Sequence, residues 1–272
     1  MQPTQEEWNT FYNEFAQKYI NQSAGVTKAL GDQLLSLLPP ITSTSIIHDN
    51  ACGPGIITSS ILAHCTRASV DPPTIYATDF AQGMIDTLQT TIDTHNLKTV
   101  TAQIMDGSDL SPFSDSKFTH SITNFGIFAF PDAIAATKHI HRTLKPGGVA
   151  AISTWKYPGN QPFVNQVLQE LAPGIEEWSM KKEWTDKARL RNALEEGGFA
   201  EENIEIFERA MLWSIDDFEK TVERFNGSFW DQAKGGLTDS QKEGWEDAVR
   251  KVLKGRNGRG IDMIAWVGVA RK

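Results

Sequence analysis

The chain has 272 residues, 40% hydrophobic and 22% charged, with a formal net charge of −8. That is enough for one large α/β domain with an added cap, and the acidic balance argues against a groove that neutralises nucleic-acid phosphates with Lys and Arg. There are only two cysteines, Cys52 and Cys65, no basic-then-apolar leader and no run near the roughly 18 apolar residues of a membrane span, so a reducing, cytoplasmic setting without membrane or nucleic-acid partners is expected.

Residues 5–20 place Trp8, Phe11, Tyr12, Phe15 and Tyr19 at helical spacing, predicting a helix with one aromatic face. A second helix is predicted over 25–38, stopped by Pro39-Pro40. Short strand-like runs at 45–49, 74–78, 100–104, 119–124 and 148–154 then alternate with amphipathic stretches at 55–66, 81–95 and 131–144. Parallel neighbours need long crossovers, so this alternation predicts a doubly wound sheet with ligands outside the carboxyl ends of its strands. Runs 203–213 and 261–270 are expected to pair as a terminal antiparallel hairpin at the sheet edge. The region between, rich in Trp and Phe, is read as a cap rather than a separate domain. The basic run from Lys251 to Arg259, with three glycines nearby, reads as a solvated turn.

The glycine turn Asp49-Asn50-Ala51-Cys52-Gly53-Pro54-Gly55 joins the first strand to a helix. Gly53 and Gly55 allow close backbone approach by a ligand. A triphosphate loop would need a terminal Lys followed by Ser or Thr, and a dinucleotide turn would need glycine where Thr58 stands, so both are disfavoured. Asp79 ends the second strand run, where a carboxylate can grip a ribose diol, or alternatively cap the next helix. Asp106 ends the third run, suited to an amino group on a purine edge or to an Asx turn. Cys52 lacks an identifiable base and reads as structural.

With Asp79-Phe80-Ala81-Gln82-Gly83-Met84, Met105-Asp106-Gly107, Asn124-Phe125-Gly126 and Leu144-Lys145-Pro146-Gly147-Gly148 following that turn in order, the sequence resembles the class I S-adenosylmethionine-dependent methyltransferases. The resemblance is to their small-molecule branch, similar to the enzymes of ubiquinone and menaquinone biosynthesis. It spans about residues 8–155 and implies a seven-stranded, mostly parallel Rossmann-like sheet. One domain over 1–272 is implied: a helical lid (1–40), a cofactor core (41–155), a substrate cap with remaining core elements (156–245), and a last helix end and strand (246–272). By the same resemblance, Asp49 and the backbone of Ala51, Cys52, Gly53 and Gly55 hold the methionine part of S-adenosyl-L-methionine. Asp79 takes the ribose, with Phe80 and Met84 beside it. Asp106 takes the adenine amino group, with Met105 and Gly107 against the ring, while Asn124 and Phe125 lie by the amino-acid end and face the substrate. Tyr12 and Tyr19 close over the cofactor from the N-terminal helix. Leu144–Gly148 is implied to be the turn into the fifth strand, and Ala51 departs from the family's usual glycine.

Methyl transfer by in-line displacement draws chiefly on positioning, so no catalytic triad or metal is expected, and none of the six histidines is assigned as general base. Phe128, Trp155, Trp213, Phe229 and Trp230 are candidates to line an aromatic or apolar acceptor bearing O, N or S; core packing is the competing role for the tryptophans. S-adenosyl-L-homocysteine is the expected product. A protein that keeps the fold for binding, regulation or a non-methylating rearrangement is the alternative, and a nicotinamide-dependent oxidoreductase is disfavoured by the glycine pattern.

Overall fold

A computed structural model describes Thr10, Tyr12, Asn13, Ala16, Tyr19 and residues 24–179 and 182–272. Trp8, Phe11 and Phe15 of the expected aromatic helix lie outside these residues. Seven strands form one sheet: β1 (Ile46–Asn50), β2 (Thr74–Asp79), β3 (Val100–Ile104), β4 (Phe118–Asn124), β5 (Leu144–Pro158), β6 (Ile204–Trp213) and β7 (Ile261–Arg271). Their order is β3-β2-β1-β4-β5-β7-β6, with the β1–β2, β1–β4, β2–β3 and β4–β5 ladders parallel and one antiparallel pair.

The crossovers are helical: α1 (Ala24–Leu35) precedes β1, α2 (Ile56–Ala68) follows it, α3 (Gln82–His95) follows β2, and α4 (Ala133–Thr143) precedes β5. Their ends follow local chemistry. Asp132 caps α4 by accepting from the N–H groups of Ile134 and Ala135. Ser69 and Asn96 close α2 and α3 in the left-handed conformation, the C-terminal position where Asn is tolerated. Leu144–Gly148 differs from the expected turn, because it already belongs to β5. The ladder passes from Phe118–Leu144 directly to His120–Val149, so the Pro-Gly-Gly stretch is absorbed as an irregularity within the strand.

Two compact units emerge. The larger comprises Met1–Lys156, Glu183–Arg209 and Ala265–Lys272. One of its hydrophobic clusters includes Phe113, Phe118, Ile127, Ile140, Ile152, Leu190 and Phe199. Here α4 packs on α6 (Lys187–Glu196), and the Thr137 hydroxyl donates to Ala193 O at 2.7 Å across the pair. The smaller unit comprises Tyr157–Lys182 and Ala210–Ile264. It contains α5 (Asn160–Leu171), α7 (Phe218–Asn226), α8 (Asp239–Glu243) and α9 (Trp245–Gly255). Composition alone gave these helices no individual boundaries. The start of the basic run differs from the expected turn: Lys251 and Lys254 lie on α9, and the Lys251 ammonium pairs with Glu170.

Candidate cofactor site

Asp49, the penultimate residue of β1, is 1% exposed. Its Oδ2 accepts the backbone N–H of Thr58 at 2.9 Å and the Thr58 hydroxyl at 2.7 Å, so the strand end is tied to the first turn of α2. Burial pushes the Asp49 carboxyl up to about 7, opposed by the two Thr58 hydrogen bonds and reinforced by the Asp79 charge. Thr58 therefore performs a task that the glycine pattern concealed: it supplies two donors to a buried carboxylate.

The turn between them contains three left-handed residues, Ala51 (φ 54°), Gly53 (φ 53°) and Gly55 (φ 88°). A Cβ on Gly55 would lie 2.5 Å from Leu88 Cδ1, so both conformation and space require glycine there. Cys52 is buried, donates its N–H to Thr78 O at 2.9 Å, and has its thiol pushed up by burial and by Asp49 and Asp79, which suits a structural role.

Asp79 ends β2 and divides its two oxygens. Oδ2 accepts from Gly53 N at 2.9 Å and Oδ1 from Ala81 N at 2.9 Å, linking the glycine turn to the start of α3. Burial pushes its carboxyl above the ordinary carboxylate range, opposed by those N–H donors. The helix N-cap itself is Ala81, without a side-chain cap, so Asp79 does not occupy the N-cap position. Tyr12 meets Phe80 edge to face at 5.8 Å and, with Tyr19, packs on Ala16, Ala81 and Met84. Burial together with Tyr19 and Asp79 pushes the Tyr12 phenol far up. Asn13 fixes this segment by accepting Gly83 N at 2.7 Å.

Asp106 is exposed, and its Oδ1 accepts from the N–H and hydroxyl of Ser108, closing an Asx turn. Met105 is buried and donates its N–H to Asp79 O at 2.9 Å. Gly107 accepts from Asn50 Nδ2 at 3.1 Å, and a Cβ there would strike the Phe130 ring at 2.3 Å. Asn50, a residue the sequence reading left unassigned, thus ties β1 to the loop after β3.

At the ends of β4 and β5, Phe125 stacks on Trp155 with centroids 3.9 Å apart and an 18° interplanar angle. Phe128 packs against the cluster of Phe113, Phe118 and Ile127 in the larger unit. The other acceptor candidates lie in the smaller unit's aromatic core. There Trp213 and Trp230 are buried and stack on Phe225, Phe229 meets Trp230 edge to face, and the Trp230 indole donates to Arg224 O at 3.0 Å.

The histidines lie outside this cluster. His48 is fully buried against Phe113 and Phe118 and is lowered to about 3 by burial and Lys117. His139 lies beside Asp109 and Arg142, and His141 packs on Phe199. His120 faces a cavity of about 280 Å³ at the opposite, amino-terminal strand edge, with Lys145 and Arg271.

Known proteins share these features over part of the chain. The family described as "Methyltransferase domain" matches residues 47–148, from β1 into the start of β5. Methyltransferase tpcH of Aspergillus fumigatus is 29% identical over 180 residues, covering 64% of this chain and 64% of that protein, so this chain matches under two thirds of its length. A demethylmenaquinone methyltransferase of Staphylococcus saprophyticus is 25% identical over 183 residues, 61% of this chain and 75% of its own. Among solved structures, the [4+2]-cyclase SpnF superposes with a TM-score of 0.58 at 16% identity, covering 98% of this chain and 97% of its own, a likeness of fold. The matched segment contains the glycine turn with both carboxylates that brace it, and over that segment the chain is similar to methyltransferases.

Proposed function

We propose that the protein transfers the methyl group of S-adenosyl-L-methionine to an O, N or S atom of a small aromatic or apolar molecule, releasing S-adenosyl-L-homocysteine. The observation that carries this reading is Asp79: a buried carboxylate at the carboxyl end of β2, braced by the glycine turn and within the reach of Tyr12. The residues fit the cofactor. Gly53 offers backbone without a Cβ, Asp79 offers acceptors for a diol, and Asn50 Oδ1 is a buried acceptor without a partner. When bound, S-adenosylmethionine supplies an electrophilic methyl carbon on a sulfonium leaving group.

The chain's own residues then bind and align. In this reading Asp49 and the backbone from Ala51 to Gly55 hold the amino-acid end, Asp79 the ribose, and Phe80 and Met84 the adenosine flank. Met105, Asp106 and Gly107 hold the adenine, while Tyr12 and Tyr19 cover it. Alignment of reactants is worth roughly 7–11 kcal/mol, which accounts for a site without an assigned general base. Asn124 and Phe125 lie beside the amino-acid end and face the acceptor, Phe128 and Trp155 add aromatic surface for it, and Trp213, Phe229 and Trp230 are further candidates. A relative that acts on a demethylated menaquinone supports an aromatic acceptor. Secondary metabolism and a cytoplasmic location complete the reading; among the described residues no helix is long and apolar enough to cross a membrane.

The test is calorimetric titration with S-adenosylmethionine and S-adenosylhomocysteine, followed by labelled-methyl transfer to a panel of phenols, amines and thiols. Binding lost in Asp79→Ala, with product formed by the wild type, is the expected result. No binding by the folded wild type overturns the reading. The fold likeness to a cyclase favours one alternative, a non-methylating rearrangement, marked by tight cofactor binding without homocysteine release.

A further inference from the structure

Phe125 stands in the left-handed region at φ 55°. For an L-residue with a Cβ this costs about 1–2 kcal/mol and persists only where the surroundings fix it. Here one side chain fixes it. The Ser153 hydroxyl, fully buried on β5, accepts from Phe125 N at 2.9 Å and donates its single proton to Asn124 Oδ1 at 2.8 Å. That donation settles the orientation of the Asn124 amide, whose Nδ2 donates to Thr27 O on α1 at 3.3 Å. Both hydrogen-bonding roles of Ser153 are therefore used, and a hydroxyl is the smallest group able to fill both.

The flanking hydroxyls emphasise the point. Thr123 and Thr154, one residue before Asn124 and one after Ser153, have buried Oγ1 atoms without partners; alternation along a strand puts them on the opposite sheet face, where they cannot replace Ser153. What the relay holds is the Phe125–Trp155 pair, two half-buried rings at 3.9 Å on the strand ends that face incoming ligands.

We propose that Ser153 is a positioning residue for an aromatic acceptor: its hydroxyl locks Phe125 in the left-handed conformation and so fixes the Phe125–Trp155 ring pair against which a planar acceptor is oriented. The aromatic acceptor class rests on the methyl-transfer reading above; the lock on the ring pair does not. Replacing the hydroxyl leaves the Phe125 N–H without its partner, the backbone relaxes to negative φ, and the ring leaves Trp155. Loss of the Ser153 hydroxyl acts through the two groups it bonds, Phe125 N–H and the Asn124 amide.

The experiment uses full-length Ser153→Ala and Ser153→Thr proteins, thiophenol as aromatic probe and 2-mercaptoethanol as aliphatic comparison. In Ser153→Ala, the KM for thiophenol is expected to rise about tenfold, with kcat and the KM for S-adenosylmethionine within about threefold, so that selectivity over 2-mercaptoethanol falls by about the same factor. Ser153→Thr, which keeps the hydroxyl, restores it. A second readout needs no turnover: acrylamide quenching of Trp155, taken as the difference from Trp155→Phe, rises in Ser153→Ala, and a crystal structure shows Phe125 at negative φ. If Ser153→Ala does not fold, Asn124→Ala loosens the same hydroxyl from its acceptor side and is expected to raise the Trp155 quenching partway, a readout taken without substrate. An unchanged Phe125 conformation, unchanged quenching and an unchanged thiophenol KM overturn the proposal. If the wild type methylates neither probe, the acceptor class fails, while the quenching and backbone measurements still decide whether Ser153 holds the ring pair.

Discussion

Thr58 and Asp49 are joined twice at a single carboxylate oxygen, by backbone N–H at 2.9 Å and by hydroxyl at 2.7 Å. The pair locks the end of β1 to the start of α2, and its strength is measurable. Thr58→Val keeps the shape and the backbone bond but removes the hydroxyl, leaving a buried carboxylate short of a donor. A loss of about 1–3 kcal/mol in urea unfolding is expected, with Thr58→Ser recovering most of it. An undiminished unfolding midpoint in Thr58→Val would show that the hydroxyl contributes nothing.

Asp49 also makes stability depend on pH. Its ordinary value is 3.8 and its folded value about 7, so between them the folded protein holds a proton that the unfolded chain has released. Its contribution to stability is present below pH 3.8 and is lost as the pH rises towards 7. Asp79, also raised by burial, acts in the same direction. The thermal midpoint of the ligand-free protein should therefore fall between about pH 4 and 7 and level off above, and Asp49→Asn should flatten that slope. A cationic ligand on the glycine turn favours the ionised carboxylate. Hence S-adenosylmethionine affinity should increase with pH over the same range, with proton release that varies with buffer ionisation enthalpy in calorimetry.

Ala51 and Gly126 are predicted to be coupled. Ala51 is left-handed at φ 54°, and a Cβ on Gly126 would lie 2.6 Å from the Ala51 Cβ. Gly126→Ala should cost about 1–3 kcal/mol by overpacking. In an Ala51→Gly background that cost should shrink by at least about 0.5 kcal/mol, read as the interaction energy of a double-mutant cycle. Strict additivity would argue against the contact.

Gly83→Ala separates stability from binding. Gly83 lies in the first turn of α3, where alanine is intrinsically better by about 1 kcal/mol. A Cβ there, however, would meet Asn13 O at 2.7 Å and displace the segment bearing Tyr12. The expected outcome is an unfolding midpoint equal to or above that of the wild type, with S-adenosylhomocysteine binding weakened about tenfold, or roughly 1.4 kcal/mol. Unchanged binding would show that Tyr12 and Tyr19 do not cover the cofactor.

The sequence by itself determined the alternation of β1 to β5 with their helices, since apolar periodicity and crossover length follow from local composition. It also determined that a glycine turn and carboxylates at 49, 79 and 106 gather at or just beyond the carboxyl ends of the first three strands. Three things were decided only in three dimensions. Asp79 braces the glycine turn and Asp106 turns back on Ser108, a distinction between two similar carboxylates that rests on which backbone N–H groups the fold brings near. Trp213 and Trp230 stack on Phe225 within the smaller unit, an arrangement invisible to spacing because its partners come from separate elements. Thr58 and Ser153 gained their roles from partners nine and 28–29 residues away, respectively. A lone hydroxyl in a sequence carries no sign of which buried group it will satisfy, since that choice is made by strand register and by the depth to which the group is withdrawn from water.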